Sequence, residues 1–103
     1  MKNHFGLPPG TIAQIKLCFI CYSDIQWVKI YGSRAMGTYE PGSDIDLAFS
    51  APVDHSNFVA SSLEELATPY LFDVTHYETI QNEHFKSHID RVGQFLFCHY
   101  DPD

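Results

Sequence analysis

The sequence predicts an α+β (mixed α/β) fold on two observations. Short runs of β-branched and aromatic residues, which favour strands, alternate along the chain with longer segments whose apolar residues recur at helical spacing. The chain has 103 residues, enough for one hydrophobic core, and 45% of them are hydrophobic, which is typical of a folded protein. We therefore expect residues 1–103 to form a single domain.

The first half of the chain predicts a helix, a strand and a helical turn. Residues 1–10 include Pro-Pro-Gly and are expected to be an extended arm, after which a helix begins at about Thr11 as its N-cap and runs to residue 22. This helix is apolar on more than one side, as in a helix that is enclosed by the core or shared with a partner. A strand is predicted over residues 26–31, and a helical turn over residues 34–36.

The second half predicts two further strands and two further helices. The strands span residues 43–49 and 69–77. A helix over residues 56–67 is predicted from four apolar residues, which are Phe58, Val59, Leu63 and Leu66. A last helix, over residues 79–97, would carry on one face Phe85, Ile89, Val92 and Leu96. The other aromatic residues near the end of the chain either form a contact surface for another chain or close the core; they are Phe95, Phe97 and Tyr100.

Two aspartates in the predicted strand of residues 43–49 share one face. Because side chains in a strand alternate between faces, Asp44 and Asp46 point to one face, and Ile45 and Leu47 point to the other. Their carboxylates would be roughly 6 to 7 Å apart, a spacing at which like charges repel unless a cation lies between them. Hard oxygen ligands favour Mg²⁺ or Mn²⁺ over Zn²⁺. A solvated strand face is the alternative that this pair alone leaves open.

A Gly-Ser turn precedes the two aspartates. Gly32 lets the backbone approach a ligand closely, and the hydroxyl of Ser33 with backbone N–H groups at a helix start can hold phosphate oxygens. Ten residues separate this dipeptide from Asp44-Ile45-Asp46. The string Gly-Ser-Arg-Ala-x-Gly, followed by Ser-Asp-Ile-Asp-Leu, resembles the signature of the nucleotidyltransferase superfamily that includes DNA polymerase β, and in particular its minimal nucleotidyltransferase (MNT, MntA-like) proteins.

The resemblance implies a fold, a reaction and three catalytic residues. The fold is the nucleotidyltransferase fold, a small mixed β-sheet with helices packed against it. The reaction transfers a nucleoside monophosphate, AMP from ATP or the equivalent from another nucleoside triphosphate, to a hydroxyl acceptor. Asp44, Asp46 and Asp73 would be catalytic and would hold two Mg²⁺ ions, for which Mn²⁺ is an alternative. On the residues alone, Asp73 is equally compatible with an edge strand on which it faces water.

The phosphate site implied by the resemblance comprises Gly32, Ser33 and Arg34. The guanidinium of Arg34 is a bidentate donor for phosphate oxygens, or it covers the start of the helix. The sequence departs from the family's pattern at Met36, where a second basic residue is often found.

The resemblance also implies a protein partner. MNT proteins of this size resemble the antitoxins of HEPN–MNT toxin–antitoxin pairs, in which the MNT protein transfers AMP to a tyrosine of the HEPN toxin. Two alternatives stay open. One is a weakly active or inactive binding module that neutralises or scaffolds its partner, and the other is transfer to a small molecule such as an aminoglycoside, for which a homo-oligomer would build the acceptor pocket.

Charge and composition exclude other classes. The net charge is −7, from 13 acidic residues against 6 Lys and Arg, so direct binding of nucleic acid is not expected. No apolar run is long enough for a signal peptide or a membrane span, and an odd number of cysteines without a secreted-domain pattern favours reduced thiols. We therefore expect a cytoplasmic protein without membrane contact.

Cysteine and histidine patterns are given structural interpretations. Cys18 and Cys21 have Cys-x-x-Cys spacing but lie in an apolar helix, which favours buried inert thiols over a redox or zinc site. His84 and His88 have the spacing of two zinc ligands, yet solvated surface positions are favoured. For His76, an exposed or turn-capping position is favoured over one at the mouth of the site.

Overall fold

The computed structural model describes residues 4–98, which contain four strands and four α-helices. In chain order these elements are α1 (Pro9–Ile20), β1 (Trp27–Tyr31), α2 (Gly32–Met36), β2 (Ile45–Ser50), α3 (Ser56–Glu64), β3 (Phe72–His76), α4 (Glu83–Val92) and β4 (Gln94–Cys98). Short 3₁₀ turns occupy His4–Gly6 and Tyr77–Thr79. None of the helices in this part of the chain has the length and hydrophobicity that crossing a membrane requires.

The strands form one mixed sheet in the order β3-β2-β1-β4. Strand β1 is antiparallel to both β2 and β4, whereas β2 and β3 are parallel and are connected through α3. The parallel pair needs such a crossover because a tight turn can join only antiparallel strands. The predicted α+β fold with a small mixed sheet and packed helices is confirmed.

One face of the sheet holds the main hydrophobic core. Helices α1 and α3 lie against this face, and the side chains that alternate inward from β1 and β2 meet those of the helices. Fully buried members include Ile15, Phe19, Ile30, Leu47 and Leu63. Complete removal of these side chains from water is the main favourable contribution to folding.

Helix α4 covers part of the opposite face of the sheet. Buried Ile89 packs there with Tyr31 and Ala48, and Phe85 and Val92 extend this smaller cluster. The helix begins at an N-cap, Asn82, whose side chain accepts a hydrogen bond from the backbone N–H of Phe85. The predicted helical face of Phe85, Ile89 and Val92 is therefore correct.

The prediction that the last helix continues to residue 97 is wrong. Helix α4 ends at Val92, and β4 follows after Gly93 and pairs with β1. In β4, Leu96 is buried and Phe97 packs on the core, whereas the Phe95 side chain is 57% exposed. Phe97 thus helps to close the core and Phe95 does not; Tyr100 lies outside the described residues. An unbroken apolar run cannot distinguish strand from helix, and here pairing with β1 decided it.

The predicted helix over residues 56–67 ends earlier and buries fewer residues than expected. It ends at Glu64, and Phe58 is 71% exposed. The residues that face the core are Val59 and Leu63, with Leu66 packed against them beyond the helix end. Successive residues on a helix are about 100° apart, so when Val59 and Leu63 face the sheet, Phe58 points away from it.

The start of the first helix also differs from the prediction. Helix α1 begins at Pro9, because proline is tolerated at the first helical position, and Pro8 occupies the cap. Thr11 is therefore not the N-cap but a buried residue inside the helix. The helix ends at Ile20, which leaves Cys21 at its exposed C-terminal cap.

Candidate active site

Three carboxylates lie at one end of the sheet. In the parallel pair, Asp46 of β2 stands opposite Asp73 of β3, and Asp44 immediately precedes β2. Adjacent strands are about 4.8 Å apart, and residues in register point to the same face. The structure thus brings Asp73 beside Asp46, the placement that the family resemblance implies and that the residues alone left open.

The carboxylates repel one another. The pKa of Asp46 is raised by its partial burial and further by the charges of Asp73 and Asp44, while His88 acts in the opposite direction. The pKa of Tyr31, which pairs with Asp46 in the sheet, is raised to about 12, chiefly by burial and also by Asp73 and Asp46. The site therefore concentrates negative charge that a bound cation would neutralise.

The Gly-Ser turn lies directly against one of these carboxylates, that of Asp46. Gly32 has φ +73°, a left-handed conformation that favours glycine, and a Cβ built on it would collide with Oδ2 of Asp46. Ser33 follows in the first turn of α2 and is partly exposed. The predicted association of the turn with the aspartates is thus present in the structure.

The side chain of Arg34 is directed away from the opening of the site. It is 2% exposed, and its guanidinium donates hydrogen bonds to backbone carbonyls of the neighbouring segments, at 2.9 Å to Phe5, 3.4 Å to Pro41 and 3.0 Å to Ser43. Its donors are therefore used inside the protein, which corrects the expectation that Arg34 binds phosphate. The alternative interpretation, that it covers the start of the helix, is closer to its position.

Arg34 instead holds the segments that carry the carboxylates. Its guanidinium carbon lies 5.1 Å from the ring centres of both Tyr39 and Tyr70. Tyr39 belongs to the loop that leads to Asp44, and Tyr70 precedes β3, which carries Asp73. A cation between two aromatic faces is stabilised by their negative faces, so Arg34 fixes both approaches to the site.

An open cavity of about 540 Å³ adjoins the carboxylates. Asp44 and Asp73 line one side of it, and the remaining wall comes from Glu64 and residues 68–72. Within the described part of the chain, the buried hydroxyl of Thr68 in this wall has no hydrogen-bond partner. The cavity is large enough for a side chain or a small acceptor molecule.

The remaining histidine and cysteine predictions need partial correction. His76 is buried, not exposed, and its Nε2 lies 2.7 Å from the carbonyl oxygen of Ala51. Cys18 is half-buried, and burial raises the pKa of its thiol, but Cys21 is exposed. The prediction of two buried thiols is therefore wrong for Cys21, because α1 ends one residue before it.

Two residues lie near the carboxylates although the sequence did not assign them there: Tyr31, and His88, which is half-buried and not a solvated surface histidine as expected. Tyr31 is 5% exposed, and its hydroxyl lies 3.2 Å from the Thr75 hydroxyl. His88 of α4 meets the edge of the Tyr31 ring, with ring centres 6.0 Å apart. The position of Tyr31 directly before the Gly-Ser turn could have indicated that it lies near the site. No local sequence pattern could have done so for His88, because its position depends on how α4 packs on the sheet.

A mixed sheet with paired aspartates on neighbouring strands and a Gly-Ser turn against them is the arrangement of a nucleotidyltransferase. The family model described as polymerase beta, nucleotidyltransferase, matches residues 13–101, and the chain belongs to this family. No curated protein matches the chain in sequence.

Solved structures show the same fold. A toxin–antitoxin complex with AMP-PNP contains a chain that is 24% identical, with a TM-score of 0.71, over 89% of this chain and 74% of that one. A mutant MntA–HpeT toxin–antitoxin complex gives 21% identity and a TM-score of 0.69, over 85% and 73% of the two chains. A putative nucleotidyltransferase from Sulfolobus solfataricus gives 18% identity and a TM-score of 0.50, over 95% and 89%. The predicted resemblance to MNT proteins is confirmed.

Enzymes of this family generally use nucleoside triphosphates and divalent metal ions. The three carboxylates fit such ions by their chemistry, because they are hard oxygen donors on one end of the sheet and the pKa of Asp46 already reflects their mutual repulsion. Among residues 4–98, however, no three His, Cys, Asp or Glu side chains are close enough together to hold a metal ion. The donors are thus gathered in one place without forming a closed metal cage.

Proposed function

We propose that this chain transfers AMP from ATP to a hydroxyl of a toxin partner and serves as the antitoxin of that pair. The observation that carries the proposal is the register of the parallel strands, which sets Asp46 beside Asp73, together with the contact of Asp46 with the Gly32 turn. The similarity of the fold to chains in two toxin–antitoxin complexes, one of them with AMP-PNP, supports the partner and the nucleotide.

Each site residue is given one task. Asp44, Asp46 and Asp73 hold two Mg²⁺ ions, which, when bound, neutralise phosphate charge and favour ionisation of the acceptor hydroxyl. Gly32 and Ser33 hold the β- and γ-phosphates with backbone N–H groups and the serine hydroxyl. Because of its buried hydrogen bonds, Arg34 positions the loop instead of contacting phosphate.

The reaction exchanges one bond to phosphorus for another. The acceptor oxygen forms a bond to the α-phosphorus, the bond from the α-phosphorus to the bridging oxygen breaks, and pyrophosphate leaves with that electron pair. The proton of the acceptor hydroxyl passes to a carboxylate, for which Asp73 is the candidate because it borders the open cavity. The products are an adenylylated hydroxyl and pyrophosphate.

The acceptor enters from the open cavity beside Asp44 and Asp73. We infer that it is a tyrosine of a HEPN-type toxin, since a phenol fits a space of this size and the partner supplies the rest of the acceptor surface. The partner is met in the cytoplasm. Transfer to a small molecule such as an aminoglycoside would use the same cavity. An assay that offers the protein both acceptors distinguishes the two reactions.

The second candidate is a binding module that neutralises its partner without catalysis. One observation favours it: the described residues contain no group of three side chains spaced for a metal ion. A weakly active enzyme and an inactive module differ in whether metal and nucleotide bind together at the aspartates.

The test is calorimetry of ATP with Mg²⁺ on the wild type and on a variant that carries Asp44→Asn and Asp46→Asn. We expect metal-dependent binding that is lost in the variant and retained in a control, Asp54→Asn, beyond the opposite end of β2. Transfer of labelled AMP to the co-purified toxin would then identify the acceptor. A folded wild type that binds no ATP with Mg²⁺ or Mn²⁺, with the toxin present, would leave only the binding module.

A further inference from the structure

The phosphate-binding turn has no cation of its own to offer. A bound nucleoside triphosphate brings about four negative charges, and charge-assisted hydrogen bonds are the strong ones for such a group. The basic residue of α2 is Arg34, and its guanidinium is occupied by buried carbonyls. The helix ends with Met36, an apolar side chain that is 49% exposed. Beyond the backbone N–H groups and the Ser33 hydroxyl, a side-chain nitrogen donor for the phosphates must therefore come from a neighbouring element.

Helix α4 is that neighbour, because it packs against both α2 and β1. Two of its basic side chains are engaged elsewhere. The ammonium of Lys86 lies 5.0 Å from the ring centre of Tyr77, and Nε of Arg91 donates to the Ser87 hydroxyl at 3.3 Å. This leaves the two histidines, which lie one helical turn apart at His84 and His88.

Of the two histidines, His88 faces the site. Its ring stands edge-on to Tyr31, with an interplanar angle of 84°, and Tyr31 pairs with Asp46 in the sheet. The side chain is half-buried, whereas that of His84 is exposed. His88 thus lies against Tyr31, the strand partner of the aspartate that Gly32 touches.

We propose that His88 is a phosphate-binding residue, whose ring N–H donates to the phosphate oxygens of the bound nucleoside triphosphate. This inference rests on the proposed function. It assigns to α4 the side-chain nitrogen donor that α2 does not supply. This donor lies on the opposite side of Asp46 from the strand that carries Asp73.

The test compares variants of His88 with a matched control one turn earlier on the same helix. His88→Phe keeps an aromatic ring against Tyr31 but removes the donor, His88→Gln keeps an N–H donor, and His84→Ala removes the exposed histidine. Each protein is titrated calorimetrically with ATP and with inorganic tripolyphosphate, both with Mg²⁺. Thermal melting of each variant shows whether it is folded.

We expect His88→Phe to weaken both ligands about tenfold or more, as the loss of a hydrogen bond to a charged group predicts. His88→Gln should retain most of the affinity, and His84→Ala should equal the wild type. Unchanged binding of both ligands to folded His88→Phe would overturn the inference while the proposed function stands. Weakened ATP with unchanged tripolyphosphate would also overturn it, because His88 would then contact the nucleoside. A folded wild type that binds neither ligand, also with the toxin present, would overturn both proposals.

Discussion

Replacing Gly32 by alanine separates the role of the turn's backbone from the role of its contact with Asp46. The substitution adds one methyl group at a residue with φ +73°. That methyl would collide with Oδ2 of Asp46, while the Cβ of Asp46 would be at an ordinary 3.5 Å. The added atom therefore strains the backbone and displaces the carboxylate.

The two effects have different sizes and different controls. A left-handed conformation costs an alanine about 1 to 2 kcal/mol, and moving the Asp46 side chain off its preferred rotamer costs about 0.5 to 1.5 kcal/mol more. Gly37 has φ +80° and open space where a Cβ would be, so Gly37→Ala should show the backbone cost alone. In an Asp46→Ala background, Gly32→Ala should fall to the cost of Gly37→Ala.

The assay is a double-mutant cycle by urea unfolding, together with calorimetry of ATP and Mg²⁺. We expect a coupling of about 0.5 to 1.5 kcal/mol between Gly32→Ala and Asp46→Ala, and loss of nucleotide binding in Gly32→Ala but not in Gly37→Ala. Zero coupling, or a Gly32→Ala protein that binds nucleotide as the wild type does, would refute the contact.

Three further predictions concern charge, the buried arginine and the core. Because the pKa of Asp46 is raised in the folded protein, its ionised form opposes folding, and the free energy of unfolding falls as pH rises through that pKa. In chemical denaturation without metal, Asp46→Asn should therefore be more stable than the wild type at pH 7, by less than about 1 kcal/mol because the carboxylate is half-exposed. This advantage should shrink towards pH 4. A gain that is constant with pH would contradict the charge repulsion. Arg34→Met should lower the free energy of unfolding in urea by about 2 to 4 kcal/mol, because buried carbonyls lose their donor. Unchanged stability would show that these hydrogen bonds are unimportant. Leu63→Ala should lower the free energy of unfolding by about 2 to 5 kcal/mol, because the Leu63 side chain is buried. Phe58→Ala should change it by no more than about 0.5 kcal/mol, because Phe58 is exposed. Equal losses for the two variants would place both side chains in the core.

Much of the fold was accessible from local patterns. The strand of residues 26–31, the turn that follows it and the strand that begins near Asp44 all appear within a few residues of their predicted bounds. The choice between helix and strand was wrong in the segment after Val92, because a continuous apolar run has no period by which the two could be told apart. At Phe58 the error concerns burial, because Phe58 and Val59 are adjacent on a helix and only Val59 faces the core.

The site divides in the same way. Gly32, Asp44 and Asp46 were predicted as site residues because glycine, serine and alternating aspartates have chemical meaning at fixed spacing in a short stretch, and the structure places Gly32 against Asp46. For Arg34 the same stretch predicted a phosphate ligand, and the structure instead shows its guanidinium bound to backbone carbonyls. Its burial depends on carbonyls of Phe5 and Ser43, and no local pattern reports which distant backbone groups need a donor.

The sequence by itself thus determined the alternation of helices and strands, the position of Asp44 and Asp46 at the start of one strand, and the family resemblance, because each depends on residues that are near one another in the chain. Only the tertiary structure decided that Asp73 stands beside Asp46 and that His88 borders Tyr31. Both depend on pairing and packing between distant segments. These contacts form because the sheet must pair its strands and bury its apolar faces, and the energy of that burial is a property of the whole chain.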